Sequence, residues 1–224
     1  MPQIEITELT KIYSVDKSTI MAADNISLKI EKGEFLSIVG HSGSGKTTLL
    51  SMIGGIIRPT SGKVRYQGTD ICSLGDEKLS EYRNEKIGFM FQFASLLPML
   101  TAKENVLLPG LFGSQGKFNN DKKAEEFLQM VGIGEKVNAY PSHLSGGQQR
   151  RVAIARALMN EPEVILADEP TGDLDEETEA EIMELFKRLN REKKITFIFI
   201  THSLELARQA GRQLRMSSGG IKEL

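Results

Sequence analysis

Residues 35–53 read FLSIVGHSGSGKTTLLSMI, and no other stretch limits the possible folds so tightly. FLSIV is a short apolar run bounded by glycine, as expected of a strand covered on both faces. GHSGSGKT follows without a spacer and leads into an apolar segment with helical spacing. A strand, a glycine-rich loop matching G-x-x-x-x-G-K-[ST] and a helix in direct succession curl successive backbone N–H groups around a phosphate. The helix adds its positive N-terminal end. Lys46 would supply a point charge, and the Thr47 hydroxyl a ligand for Mg²⁺. A plain glycine-rich turn opening a helix is the alternative, and it does not require the buried strand in front.

The rest of the chain repeats the alternation. Ile4–Leu9 and Ile26–Ile30 alternate like half-buried strands, and IGFMF (87–91) reads as a strand ended by Gln92. EVILADEP (163–170) and ITFIFITH (195–202) read as buried strands. Between them, Ile182, Leu185, Phe186 and Leu189 form a helical stripe. Strands alternating with helices predict an α/β fold with a largely parallel sheet. Residues 93–160 differ, with helical patterns broken by Gly and Pro and little strand signal. They predict an α-helical subdomain inserted into a core made of 1–92 and 161–224, the whole forming one domain. Within it, Thr101 and Glu104 fit a capping box, so a helix should begin near residue 102.

Composition narrows the partners. A net charge of −2 makes no electrostatic case for nucleic acid, which calls for a basic excess. The single cysteine, Cys72, excludes an intramolecular disulfide and suits a reducing compartment. No run approaches the 18 or more apolar residues of a membrane span, and MPQIEITELTK lacks the regions of a signal peptide.

VILADE (164–169) ends a buried strand with two acids, at the edge where open α/β sheets bind ligands. Beside a phosphate loop, Asp168 suits Mg²⁺ and Glu169 suits a water attacking the γ-phosphate. Without that loop both would read as ordinary acids opening a turn. His202 follows the last buried strand and faces the same edge, although a lone histidine is mostly structural or solvated. Gln92 could be a polar stop, and Tyr13 a packed aromatic. Ser145 starts a helix, yet Gly146 and Gly147 follow at a cost of roughly 1 kcal/mol each relative to Ala. Glycine spent there implies that some group approaches the backbone closely.

Taken in order, GHSGSGKT, FMFQ (89–92), LSGGQ (144–148), VILADE, TGDLD (171–175) and THS (201–203) resemble the sequence landmarks of the nucleotide-binding subunit of ABC transporters, over essentially the full length. The resemblance implies a P-loop NTPase core with a mostly parallel sheet, an N-terminal antiparallel β part and the inserted helical subdomain. It implies ATP and Mg²⁺ as cofactors. Tyr13 would stack on adenine, while Gly40, His41, Ser42, Gly43, Ser44, Gly45, Lys46, Thr47 and Thr48 would hold the phosphates. Thr47, Gln92 and Asp168 would hold Mg²⁺, with Glu169 as general base and His202 steadying the γ-phosphate; Lys46 and Gln92 also count among the catalytic groups. Two copies would pair head to tail, so that Ser145, Gly146, Gly147 and Gln148 close over ATP held by the other copy, and Asp175 would contact that copy. Side chains at 146 or 147 would block this approach.

Departures from the family pattern are mild: His41 replaces the usual proline, Arg150 a common glutamine, and Ser203 a frequent aspartate. None removes a catalytic group, so the resemblance implies an active ATPase. The segment 91–109, with YRNEKIGF and GGIIRPTSG, resembles the bacterial branch of lipoprotein-releasing and macrolide- or peptide-efflux ATPases, and RQLRMSSGGIKEL leans towards the lipoprotein-releasing members. Membrane subunits would dock near Phe93–Leu100, with the protein peripheral on the cytoplasmic face of the inner membrane. Leu96 and Leu97 read equally as core or as part of that groove. The insertions of DNA-repair members and the paired cassettes of ribosomal members have no counterpart here.

Overall fold

Every residue of the segments Phe35–Val39, Val164–Asp168 and Thr196–Thr201 is buried, and the fold is built around them. The computed structural model describes residues 1–15, 18–112, 120–172 and 174–224. In chain order its elements are β1 (Ile4–Val15), β2 (Ser18–Ile30), β3 (Phe35–Val39), α1 (Lys46–Ile53), β4 (Ser61–Tyr66), β5 (Thr69–Asp70), α2 (Asp76–Lys86) and β6 (Ile87–Met90). There follow α3 (Ala102–Leu107), α4 (Asp121–Met130), α5 (Gly146–Leu158), β7 (Val164–Asp168), α6 (Glu176–Lys193), β8 (Thr196–Thr201), α7 (Leu204–Ala207), β9 (Arg212–Ser217) and β10 (Gly220–Glu223).

Six strands form one sheet in the order β10-β9-β3-β8-β7-β6, parallel from β9 to β6, with β10 returning antiparallel. Successive side chains of β8 point to opposite faces. Phe197 and Phe199 join a core with residues of α5 and α6. Ile198 and Ile200 join a second core with Leu49 and Leu50 of α1 and with Ile4, Leu28 and Ile30 of a separate antiparallel sheet. That sheet has the order β2-β1-β4-β5. Burial on both faces explains why the central strands read as unbroken apolar runs.

The N-terminal strands run further than their apolar alternation predicts. Beyond Leu9 the hairpin continues to Tyr13↔Ile20 and Val15↔Ser18, with register shifts between Ile6 and Ile12. The first four residues of β2 are exposed, so its outer part is held by ladder hydrogen bonds and leaves no burial pattern to read. The strand IGFMF ends one residue early: Phe91 leaves the ladder and is half exposed.

The helical expectations hold more closely. Ile182, Leu185, Phe186 and Leu189 are buried along α6, which Asp175 caps by accepting from Thr178 N at 3.0 Å. Helix α3 starts at Ala102 behind a closed capping box: Glu104 N donates to Thr101 Oγ1 at 3.3 Å, and Thr101 N to Glu104 Oε2 at 2.7 Å. Helices α3, α4 and α5 share the first core through Val106, Leu128, Val152 and Ile154.

The C-terminal hairpin reaches back to the loop after β3. Its turn places Ser218 and Gly219 at φ of 47° and 80°. Gly219 N donates to Ser44 O at 3.3 Å, and Gly219 O accepts from Asp24 N at 3.0 Å.

Candidate nucleotide site

Strands β3, β7 and β8 end at one edge of the sheet, and the residues that follow them enclose a cavity of about 570 Å³. From the loop after β3 come Ser42, Gly43, Gly45, Lys46, Thr47 and Thr48; from β7 and beyond, Asp168, Glu169 and Gly172; from the end of β8, His202; and from the end of β6, Gln92. Tyr13 of β1 closes the cavity beside Ile20 and Ala22 of β2. Most of these positions follow from phosphate-loop and acid chemistry or from the family resemblance. Ile20, Ala22 and Gly172 do not, because they reach the cavity only through tertiary contacts.

Gly45 shows why the loop needs glycine. Its φ is 100°, and a Cβ built there would lie 1.8 Å from Ala22 O, so a side chain would drive the loop off β2. Behind the loop Ser44 is buried, with its N donating to His41 O at 3.2 Å. The Lys46 side chain folds over, and Nζ donates to Gly40 O at 2.8 Å and His41 O at 2.9 Å. Gly40 and His41 thus anchor Lys46 through backbone carbonyls while the His41 side chain is exposed, so histidine in place of proline leaves this contact intact. Burial pushes the Lys46 ammonium below its ordinary range, opposed by the carboxylates of Glu169 and Asp168.

Glu169 holds a left-handed φ of 46°, and its N donates to Ile200 O at 3.1 Å. A non-glycine residue there is uncommon, and the hydrogen bond to the neighbouring strand fixes it. Its Oε2 lies 3.0 Å from His202 Nδ1. Asp168 is buried at the end of β7. Ser203 caps α7 by accepting from Leu206 N at 3.2 Å, a task the aspartate common in the family could also perform.

The signature segment lies outside this cavity. Ser145 caps α5 by accepting from Gln148 N at 3.2 Å, and Gln148 Oε1 accepts from Ser145 N at 3.0 Å. The two glycines differ. A Cβ at Gly146 would meet only Leu174 Cδ2, at 4.0 Å, whereas one at Gly147 would lie 2.6 Å from Thr178 Cγ2 of α6. Gly147 therefore has a reason within its own chain, while Gly146 faces open space. Asp175 is engaged as the cap of α6; Asp173, central to TGDLD, lies outside the described residues.

After Gln92 the chain is held from α5. Arg150 donates to Phe91 O and Gln92 O, and Arg156 to Ala94 O and Ser95 O. The next turn is organised by Asn105, fully buried, which accepts from Leu97 N at 2.8 Å and donates to Leu100 O at 3.0 Å. Leu96 packs partly on the core, whereas Phe93, Leu97 and Met99 remain exposed at 67%, 44% and 76%. The two leucines thus divide between the core and surface readings. No helix among the described residues is long and apolar enough to cross a membrane.

Comparison with known proteins agrees with this geometry. The family profile for ABC transporters matches residues 23–172. The lipoprotein-releasing system ATP-binding protein LolD of Syntrophus aciditrophicus is 43% identical over 218 residues, covering 97% of this chain and 98% of that protein. The macrolide export ATP-binding/permease protein MacB of Rhodopirellula baltica is 43% identical over 222 residues, covering 98% of this chain but 32% of MacB. Among solved structures, the ATP-binding cassette MJ0796, in a dimeric post-hydrolysis state bound to ADP and Pi, superposes with a TM-score of 0.91 at 42% identity, covering 99% of this chain and 98% of that one. A phosphate loop, the acids at the end of β7 and a matching fold over nearly the whole length lead to one conclusion: the chain belongs to the ABC transporter family, as an ATP-binding subunit whose ATPase activity is coupled to transport.

Proposed function

We propose that Glu169 is the general base of ATP hydrolysis and that the reaction runs in a head-to-tail pair of identical subunits. The observation that carries this is the meeting of Lys46, Thr47, Asp168, Glu169 and His202 around one cavity. Lys46 neutralises the terminal phosphates. Glu169, held by its backbone bond to β8, accepts a proton from the attacking water. His202 orients that carboxylate through the 3.0 Å contact and, lining the same cavity, would steady the γ-phosphate. Tyr13 and Ile20 receive the base, and the loop glycines, Ser42 and Thr48 receive the phosphates.

Thr47, Gln92 and Asp168 offer an all-oxygen donor set suited to Mg²⁺ completed by phosphate and water. No group of three or more His, Cys, Asp or Glu among the described residues forms a cage built from protein alone. When bound, Mg²⁺ would neutralise charge developing on the phosphates.

The exposed Ser145 and Gly146 present a helix N-terminus to the nucleotide of a second copy, in keeping with the dimeric relatives. The apolar side chains of 93–100 form the docking surface for a membrane subunit, with the protein peripheral on the cytoplasmic face of the inner membrane. We read residues 93–160 as a subdomain that pivots on a core of 1–92 and 161–224. The partner reading we favour is release of lipoproteins, supported by LolD at 43% identity; MacB, at the same identity, keeps macrolide export as the second reading.

Glu169→Gln tests the assignment of the base. The amide keeps shape and hydrogen bonding but cannot take a proton, so Mg-ATP should bind within about threefold of the parent affinity while turnover falls at least ~100-fold. Turnover within a few-fold of the parent would place the base elsewhere.

A further inference from the structure

The chain from Phe91 to Phe93 carries exposed side chains, so burial does little to place it. Its position comes from α5. Arg150, itself 4% exposed, donates through Nη1 to Phe91 O at 3.0 Å and through Nη2 to Gln92 O at 2.6 Å. Less than two turns further along the helix, Arg156 donates to Ala94 O and Ser95 O, both at 2.8 Å. Two planar guanidinium forks thus hold four backbone carbonyls of five consecutive residues. A fork that binds two acceptors fixes direction as well as distance, which a single lysine donor does not. The same helix begins with the exposed Gly146, and four residues of helical rise separate it from Arg150, about 6 Å along the axis.

We infer that Arg150 is a positioning residue for hydrolysis, joining the backbone of Gln92 to the signature helix. Gln92 lines the nucleotide cavity, and Ser145 and Gly146 lie at the start of α5. A displacement of Gln92 caused by nucleotide in one subunit is therefore carried to the surface that the subunit offers to its partner's nucleotide. This inference rests on the proposed role of Gln92 at Mg²⁺ and the attacking water. Arg150 is not among the residues lining the nucleotide cavity, and acts through the carbonyls it holds. Arg156 extends the same attachment towards the exposed apolar segment.

The test compares Arg150→Met, which keeps length but removes both donors, with Arg150→Lys, which keeps one. The parent enzyme must hydrolyse ATP and Glu169→Gln must not; failure at that step counts against the assignment of the base, while the activity-independent readout below still decides for or against Arg150. In Arg150→Met, mant-ATP affinity and cooperative melting should stay close to the parent. Its kcat should fall at least ~10-fold, with KM nearly unchanged, and Arg150→Lys should recover an intermediate kcat. An activity-independent readout uses a nitroxide at Phe93→Cys in a Cys72→Ser background. Without nucleotide, its spectrum should sharpen towards free-loop mobility when Arg150→Met is added, whereas a label at exposed Phe112 should not change. A kcat within twofold of the parent, a lysine variant no better than methionine, or an unchanged spectrum at residue 93 would each overturn the inference. So would equal loosening at residue 112, which would reduce Arg150 to a general structural role.

Discussion

Gly146 and Gly147 stand side by side at the start of α5, and their surroundings separate two reasons for being glycine. A tyrosine at 146 points into space, with Leu174 Cδ2 4.0 Å from its Cβ, so Gly146→Tyr should fold and bind ATP as the parent does. It should nevertheless abolish ATP-driven pairing and lower turnover ~100-fold, because the ring would occupy the place of a neighbour's phosphate. Normal turnover in this variant would mean that nothing approaches the helix start. Gly147→Tyr is the less informative change. Its Cβ strikes Thr178 in the same chain, and overpacking of this kind costs about 1–3 kcal/mol in stability, visible as a lowered Tm before any question of pairing arises. At this scale the sequence is legible where chemistry demands one residue type, as at Lys46 or Glu169. It is silent about Ala22, which lines the cavity and whose carbonyl oxygen leaves no room for a side chain at Gly45. Arg150 is visible in sequence only as a departure from glutamine, since the carbonyls it holds lie on a distant segment.

Among the elements, central strands and amphipathic helices read clearly, because burial on two faces or on one stripe leaves a pattern. The outer hairpin of β1 and β2 does not, being held by backbone bonds with both faces exposed. The segment 93–100 falls between these cases. Its apolar composition is plain, but only the Asn105 network shows which side chains turn outward. Met99, at 76% exposure, is the position to alter. Met99→Asp should leave Tm, ATP affinity and basal turnover of the purified subunit unchanged while weakening its capture by the membrane subunit more than ~10-fold. In a cell whose complex releases lipoproteins, outer-membrane lipoproteins should accumulate in the inner membrane, as membrane fractionation would show. Normal lipoprotein sorting with raised macrolide sensitivity would instead favour the export reading. Normal capture of the partner would move the docking surface elsewhere.

At the scale of the whole molecule, one subunit holds a cavity and, apart from it, the helix start that would complete the cavity of another. The Glu169→Gln variant should therefore run as a dimer on size-exclusion chromatography with light scattering when Mg-ATP is present, and as a monomer with Mg-ADP, which lacks the bridging phosphate. A monomer at saturating Mg-ATP would overturn the head-to-tail arrangement. The hairpin of β9 and β10 has a consequence of a different kind. Gly219 braces the phosphate loop at Ser44, and β9 flanks β3 along its length, yet these residues are translated long after the loop itself. Domains are made from the N-terminus at roughly 5–20 residues per second. For several seconds, then, a nascent chain has exposed Lys46 and the whole signature helix to solvent while β3 still lacks β9 beside it. The phosphate loop acquires its brace only as the hairpin emerges, so a polypeptide interrupted before that point has every catalytic side chain and no finished cradle.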